Sequence, residues 1–274
     1  MGNERRNGLD LARLHSTRWG ERGPRVLLLH AIGLSHQSWE GIAPQLGQNA
    51  QVVAVDLPGH GESDKPAGAD YGLRSLGRRV IQFLDELGWD DCILVGNSLG
   101  GGTSLSVALQ APERVRGLAL FSSVGFRWGL PLVGRLAFLP VAPAICRLAP
   151  PPLTQLGLSV ARRPVTFASR DQSSRVVNYM RDHRGSRAFF ATLQQLYQGD
   201  LEEMSEQYGR LPQRVMVAHG RQDLLLPYRH SEALARALPV AQLVPIDRCG
   251  HFPQEERPAE VLKLLRQFVS EIAA

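Results

Sequence analysis

The hydrophobic residues of this chain follow two patterns that alternate along its length. Short continuous apolar runs are typical of parallel strands covered on both faces, and apolar residues three or four positions apart are typical of helices that bury one face. The runs predict strands at 25–30, 51–56, 93–95, 115–121, 214–220 and 241–246, with one or two edge strands within 9–19. The helical spacing predicts helices at 38–46, 73–87, 99–110, 228–238 and 258–272. This alternation favours an α/β fold with a mostly parallel sheet flanked by helices on both faces.

The alternation is interrupted between residues 124 and 208. This segment is first apolar and broken by prolines, and then helical and rich in arginine. The prolines exclude one long helix, because proline cannot donate the hydrogen bond that a helix interior requires. Arginines within the apolar part argue against a transmembrane segment. The sequence therefore predicts a helical cap (124–208) inserted into a core domain formed by residues 1–123 and 209–274.

One stretch combines a strand, a tight turn and a helix. The apolar run 93–95 leads into Gly96-Asn97-Ser98-Leu99-Gly100, and a helical pattern follows. A strand, G-x-S-x-G and a helix in this order form a nucleophile elbow, in which a serine stands at the tip of a strained turn. Glycine suits the two outer positions, because a Cβ there would clash as the new helix passes its neighbours. Ser98 is therefore the candidate nucleophile.

A serine hydroxyl becomes nucleophilic when a base removes its proton, and a carboxylate must orient that base. In a fold with this elbow, both partners follow the serine in the chain, in the order acid and then histidine. Asp223 is the carboxylate of the loop after strand 214–220, and His251 lies in the loop after the last strand. The sequence predicts a triad of Ser98, Asp223 and His251, with Asp247 as the alternative acid.

The transition state of such a reaction needs N–H donors for its negatively charged oxygen. The N–H of Leu99, at the start of a helix, is one candidate. The N–H of Ile32, in the loop after the first buried strand, is the other. We interpret His30 as an organiser of that loop, and His60 as a structural residue of a turn packed beneath it.

Five motifs carry a resemblance to a known family: His30-Ala31-Ile32-Gly33, Asp56-Leu57-Pro58-Gly59-His60-Gly61-Glu62-Ser63-Asp64, Gly96-Asn97-Ser98-Leu99-Gly100-Gly101, Gly220-Arg221-Gln222-Asp223 and Gly250-His251-Phe252-Pro253. With them the chain resembles the α/β-hydrolase superfamily over essentially its whole length outside the predicted cap. The resemblance implies a nucleophile at Ser98, an acid at Asp223, a base at His251, and oxyanion amides at Ile32 and Leu99. Ala31 departs from the family pattern, which usually has glycine there.

The elbow sequence is also similar to that of meta-cleavage-product C–C hydrolases, in which the asparagine helps to polarise the substrate. By this resemblance Asn97 is a candidate substrate-binding residue. Those relatives usually carry tryptophan after the catalytic histidine, where this chain has Phe252. We expect Phe252 to contact the substrate, together with Phe138 from the apolar part of the cap.

The composition and charge of the chain limit which binding partners we expect. Of the 274 residues, 43% are hydrophobic and 21% charged, which is ordinary for a soluble globular protein. The net charge of +5 comes from scattered arginines and not from a basic run interleaved with aromatics, so no nucleic-acid partner is expected. The three cysteines lie far apart without metal-ligand spacing, and the first residues lack an apolar segment. We expect a cytoplasmic protein with no signal peptide, no metal site and no cofactor, in which a homodimer is an open alternative to a monomer.

These features predict a serine hydrolase that cleaves a carboxylic ester of a medium acyl or aryl substrate through an acyl-enzyme. One alternative is C–C bond hydrolysis of the meta-cleavage-product type. Another is a receptor that keeps the fold and binds a small ligand without turnover. Reaction of Ser98 with a fluorophosphonate distinguishes an enzyme from such a receptor.

Overall fold

The computed structural model describes residues 8–127 and 178–274, together with Ala144 and Arg175. Its strands are β1 (Ser16–Trp19), β2 (Arg25–Leu29), β3 (Gln51–Val55), β4 (Cys92–Asn97), β5 (Val115–Phe121), β6 (Arg214–Gly220) and β7 (Ala241–Ile246). Within the described residues they form one seven-stranded sheet in the order β1-β3-β2-β4-β5-β6-β7. The edge strand β1 runs antiparallel to β3, and all other neighbours are parallel. The loops after β2, β4, β6 and β7 therefore emerge at the same edge of the sheet.

Helices cover both faces of this sheet. They are α1 (Ala43–Leu46), α2 (Leu73–Glu86), α3 (Leu99–Gln110), α4 (His183–Gln198), α5 (Leu201–Ser205), α6 (Tyr228–Ala237), α7 (Pro253–Glu256) and α8 (Pro258–Ala273). Successive residues of β2 face opposite sides: Leu27 belongs to an apolar cluster with α2 and α3, and Leu28 to a second cluster with α1 and α8. Burial on both faces explains why the inner strands β2 to β6 contain continuous apolar runs, whereas the edge strands β1 and β7 are largely half-buried or exposed.

The structure divides one predicted element, the helix over 38–46. A 3₁₀ helix (His36–Trp39) and α1 take its place. Pro44 lies in the first turn of α1, where no N–H is needed. In one continuous helix the same residue would have to donate to Glu40, which proline cannot do. The prediction of a single helix is therefore wrong.

The elbow joins β4 to α3 at Ser98. Its φ of 54° and ψ of −111° place this residue in a strained region of backbone conformation. Three backbone hydrogen bonds hold it there: its N–H donates to Phe121, and its carbonyl oxygen accepts from Gly102 and Val124. A strain of roughly 1–3 kcal/mol persists only where neighbouring contacts enforce it, as they do at this residue.

Gly100 gives the first testable prediction. A Cβ at this position would overlap the carbonyl oxygen of Leu29 at the end of β2. Inside a helix, Gly→Ala normally gains stability, so a loss would be due to this overlap. We expect Gly100→Ala to lower the free energy of unfolding by about 3 kcal/mol, measured by urea denaturation. Gly209→Ala, where a Cβ would meet no atom within 4 Å, is the matched control and should be nearly neutral.

The chain leaves the sheet after β5 and returns to it at β6. In the described part of this connection, α4 and α5 pack against the core through buried residues that include Ala188, Leu196 and Leu201. The predicted boundaries of the cap, 124 and 208, stay a prediction, and Phe138 lies outside the described residues. Among the described residues, no helix is both long and apolar enough to span a bilayer.

Candidate active site

Asp223 and His251 meet at the edge of the sheet where the strands end. Nδ1 of His251 donates to Oδ2 of Asp223 at 2.7 Å, and both side chains are buried. Oδ1 of Asp223 accepts from the backbone N–H groups of Leu225 and Leu226 at 2.8 and 2.9 Å. Since Nδ1 carries the shared proton, Nε2 of His251 is left with a free lone pair.

The surroundings of Asp223 keep it ionised. Burial raises the pKa of this carboxyl, but attraction to His251 and hydrogen bonds from His219 and His251 outweigh it, so the pKa lies well below its usual range. Asp247, the alternative acid, is an exposed residue whose carboxylate pairs with Arg221 at 3.0 Å. The geometry therefore places Asp223 at the imidazole and Asp247 at the surface.

The loop that carries His251 is fixed on two sides. Asn97, which precedes Ser98, donates from Nδ2 to the carbonyl oxygen of His251 at 3.0 Å. The carboxylate of Glu256 accepts from the N–H of Gly250 at 2.7 Å and from the N–H of Phe252 at 3.0 Å. The backbone on both sides of His251 is thus bound by one side chain.

The sequence alone does not indicate that Glu256 belongs to the site. Burial raises the pKa of this carboxyl, and the two backbone donors partly oppose that effect. The one available signal is its place at the end of the short helix α7, four residues after Phe252. A carboxylate near a helix N-terminus commonly binds free N–H groups, but the identity of its partners follows only from the fold.

The two candidate oxyanion donors lie on neighbouring segments. The N–H of Leu99 is at the first position of α3, where no intrahelical acceptor exists. The loop containing Ile32 is held by His30, whose Nε2 accepts from the N–H of Leu57 at 2.9 Å and whose Nδ1 lies 2.8 Å from the carbonyl oxygen of Ala31. These contacts agree with the interpretation of His30 as an organiser of this loop.

Ala31 fits this loop although the family usually has glycine there. Among the described residues other than glycine, only Ser98, Ser122 and Arg248 have a positive φ, so the backbone at Ala31 does not require glycine. Its side chain is buried in an apolar cluster with Leu34. The turn that needs left-handed backbone comes two residues later, at Gly33, with a φ of 74°.

The carboxylate of Asp56, the residue after β3, binds the segment that follows this loop. Oδ1 accepts from the backbone N–H of His36 at 2.6 Å and from Nδ1 of the same residue at 3.0 Å. Oδ2 accepts from the N–H of Glu62 at 2.8 Å and lies 3.3 Å from Nδ1 of His15. His15, His36 and Asp56 are close enough to share a metal ion, but hydrogen bonds within the protein already use both oxygens. We interpret this cluster as a structural brace.

We expect the brace to depend on pH, which gives a second prediction. The hydrogen bond to Asp56 raises the pKa of His36 against the opposing effect of burial. A raised pKa in the folded state adds stability that is complete below about pH 6 and is lost as the pH rises through the folded value.

We therefore expect His36→Gln, which keeps a donor but not the charge, to lower the free energy of unfolding by about 1 kcal/mol at pH 5.5. The difference from wild type should shrink toward pH 9. Urea denaturation at the two pH values measures it. His183→Gln, at an exposed histidine, is the control, and a pH-independent loss in His36→Gln would contradict the interpretation.

Of the candidate substrate-binding residues, Asn97 and Phe252 lie in the described part of the structure. Asn97 is fully buried; Nδ2 donates to Phe121 and His251, and Oδ1 accepts from Gln254 at 3.1 Å. These contacts favour a positioning role for Asn97 over the substrate contact that the sequence predicts. Phe252 packs edge-on against the ring of His251 at 5.0 Å and belongs to the apolar cluster of the oxyanion loop.

Comparison with known proteins agrees with this geometry. The chain matches the alpha/beta hydrolase fold family over residues 24–258. It is 31% identical over 239 residues to a 2-hydroxymuconate semialdehyde hydrolase of Pseudomonas putida, which covers 83% of this chain and 79% of that protein. The solved structure of a 2-hydroxy-6-oxo-6-phenylhexa-2,4-dienoate hydrolase from Rhodococcus sp. strain RHA1 is 26% identical, with a TM-score of 0.72, covering 93% of this chain and 98% of that one.

The name of a third relative indicates a different substrate. The structure of Est816, an N-acyl homoserine lactone degrading enzyme, is 26% identical, with a TM-score of 0.71, and covers 94% of this chain and 97% of that one. The relatives thus share a fold and a hydrolase class while their names indicate different substrates. A family match over most of the length, joined to the sheet order and the elbow, shows that this chain is a hydrolase and belongs to the α/β-hydrolase family.

Proposed function

We propose that the protein is a serine hydrolase that cleaves a carboxylic ester of a medium acyl or aryl substrate through an acyl-enzyme. The observation that carries the proposal is the buried hydrogen bond between His251 and Asp223, together with a strained elbow at Ser98 whose neighbour Asn97 donates to the backbone of His251. A carboxylate fixed in this way selects the tautomer in which Nε2 of the imidazole can accept a proton.

In the proposed reaction, Oγ of Ser98 attacks the ester carbonyl carbon and its proton passes to Nε2 of His251. The carbonyl π-electrons move onto oxygen, where the N–H groups of Ile32 and Leu99 stabilise the negative charge. When the intermediate collapses, the C–O bond to the alcohol breaks and His251 protonates the leaving oxygen. Water then attacks the acyl-enzyme with His251 again as base, which releases the acid and restores Ser98.

Two features favour an ester over a C–C bond. The amide of Asn97 is occupied inside the protein, so it has no spare donor with which to polarise a substrate carbonyl. Phe252 replaces the tryptophan expected after the histidine in C–C hydrolases and lies in an apolar cluster with Met180 and Phe190. Such a cluster suits an acyl chain or an aryl ring.

C–C bond hydrolysis is the second candidate. The 31% identity to a 2-hydroxymuconate semialdehyde hydrolase and the sequence of the elbow favour it. Both candidates use the same nucleophile, and they differ in whether the leaving atom is an oxygen or a carbon.

A substrate comparison separates them. We expect kcat/KM for p-nitrophenyl butyrate and phenyl acetate to exceed that for a 2-hydroxy-6-oxo-dienoate, with values on the order of 10⁴ M⁻¹ s⁻¹ for the better ester. Faster turnover of the dienoate would favour C–C hydrolysis. Tight binding of ester analogues without turnover of either class would favour a ligand receptor.

The same proposal includes the predicted cap, the location of the enzyme and its independence of a metal or cofactor. We propose that residues 124–208 form a cap over the site, and that the enzyme acts in the cytoplasm on a small-molecule ester without a metal or cofactor. A cap deletion variant tests the domain boundaries, and light scattering of the purified protein distinguishes a monomer from a homodimer.

The two thiols in the described residues, Cys92 and Cys249, are buried and free, and burial raises the pKa of both.

A further inference from the structure

A second histidine bonds to the carboxylate of Asp223. His219 lies near the end of β6 and is fully buried, as is Ser231 of α6. Nε2 of His219 lies 3.2 Å from Oδ2 of Asp223 and 2.9 Å from the carbonyl oxygen of Leu226. Nδ1 of the same ring lies 2.6 Å from Oγ of Ser231. The reaction proposed above uses neither His219 nor Ser231.

The partners of His219 determine which ring nitrogen carries the proton. Both atoms that face Nε2, a carbonyl oxygen and a carboxylate oxygen, can only accept, so Nε2 must carry it. Nδ1 of a neutral imidazole is then an acceptor, and the hydroxyl of Ser231 can rotate to donate to it.

His219 and His251 therefore both direct an N–H at the same oxygen. Oδ2 of Asp223 accepts from Nδ1 of His251, and it lies 3.2 Å from Nε2 of His219, whose single N–H is shared with the carbonyl oxygen of Leu226 at 2.9 Å. Oδ1 is occupied by two backbone donors. Each additional donor reduces the negative charge that the oxygen presents to the others. Removing His219 would strengthen the attraction between Asp223 and a protonated His251 and would free the carboxylate to rotate.

We propose that His219, held in one tautomer by Ser231, is a positioning residue that sets the strength of the Asp223–His251 hydrogen bond and the pH range in which His251 acts as a base. This inference rests on the proposed function. A chain of hydrogen bonds thus extends from Ser231 through His219 to the oxygen that orients His251.

Other ionisable groups lie near His219, Asp223 and His251 and must be held constant. The ring of Tyr228 packs edge-on against His219, with 5.7 Å between the ring centroids. His230 of α6 has its pKa lowered to about 4 by burial, Glu256 of α7 has its pKa raised by burial, and burial also raises the pKa of the Cys249 thiol. None of the four is changed in the variants below, so their contribution is common to all the profiles.

The test compares the pH dependence of ester hydrolysis in the full-length wild type, His219→Leu, His219→Gln and Ser231→Ala. Leucine removes the donor to Asp223, whereas the amide of glutamine can replace it. For His219→Leu we expect the pH of half-maximal kcat/KM to rise by about 0.5–1 unit and kcat to fall about fivefold, with KM nearly unchanged. His219→Gln should restore most of both values, and Ser231→Ala should shift them in the same direction by less.

A control separates this role from a loss of stability. Leu234→Ala creates a cavity in the same helix as Ser231 and leaves the side chains of His219 and Ser231 unchanged, so it should lower Tm and keep the pH profile of the wild type. The proposal is overturned if folded His219→Leu, or Ser231→Ala where the former does not fold, has the wild-type profile. It is also overturned if Leu234→Ala shifts the profile equally.

A second measurement does not depend on catalysis. In protein labelled with ¹⁵N-histidine, the titration midpoint of the His251 ring should move upward in His219→Leu and return in His219→Gln. This shift would be seen even if the wild type cleaved no ester, so failure of the inference and failure of the proposed function are distinguishable. An unchanged His251 titration in a folded variant would contradict the inference alone.

Discussion

Replacing Ser98 by alanine is expected to lower kcat/KM for ester hydrolysis by about 10⁵-fold or more. No other group can replace Oγ as the nucleophile, because His251 and Asp223 contribute to catalysis by activating it. The backbone bonds of Ser98 to Phe121, Gly102 and Val124 are made by main-chain atoms and survive the change. Steady-state kinetics with p-nitrophenyl butyrate, together with urea denaturation, measure both properties.

The control for this variant is Ser106→Ala. Ser106 is a buried serine of the same helix, and its hydroxyl accepts from Gln110. We expect nearly wild-type activity there, with a small loss of stability. If Ser98→Ala kept more than about one hundredth of the activity, the acyl-enzyme mechanism would be excluded, because residual catalysis without the nucleophile is far smaller.

The second large effect is expected at Asp223. Replacing it by asparagine should lower kcat about 10⁴-fold, because an amide N–H facing His251 would favour the tautomer in which Nε2 carries the proton and cannot accept another. The change also replaces by an amide nitrogen one of the two oxygens that four donor groups now face. A loss of stability should therefore accompany the loss of activity, and calorimetry should detect it as a lower Tm.

Asp247→Asn is the matched control, since the sequence alone leaves both carboxylates as candidates. Asp247 is exposed and paired only with Arg221 among the described residues, and an exposed ion pair contributes little. We expect its activity to stay within about twofold of the wild type. A large loss in Asp247→Asn together with an active Asp223→Asn would transfer the role to the other acid.

Much of the core domain could be predicted from the sequence, because each strand or helix is indicated by the pattern of its own consecutive residues. The strands 115–121, 214–220 and 241–246 and the helix 99–110 occur at their predicted bounds. Each is a continuous apolar run or a helical repeat that ends at a clear turn. The prediction of β1 as an edge strand also depends on consecutive residues, since hydrophobic and polar residues alternate in this region and turn residues follow it.

Other features could not be predicted because they depend on how particular turns and distant segments are arranged in space. His219 and Asp223 are only four residues apart, as are Phe252 and Glu256, but the contact in each case depends on the path of the turn between them, which no sequence pattern indicates. The internal partners of Asn97 are distant in sequence, so a family resemblance predicted a substrate contact where the structure favours positioning. Phe138 lies outside the described residues, so its predicted contact with the substrate stays a prediction.

The most direct test of the proposed nucleophile is reaction of the full-length protein with a fluorophosphonate, followed by peptide mapping. The account predicts one adduct, located on Ser98, which forms more slowly in His251→Ala and is absent in Ser98→Ala. An adduct on another serine of the folded wild type, or no adduct at all while ester hydrolysis continues, would contradict it.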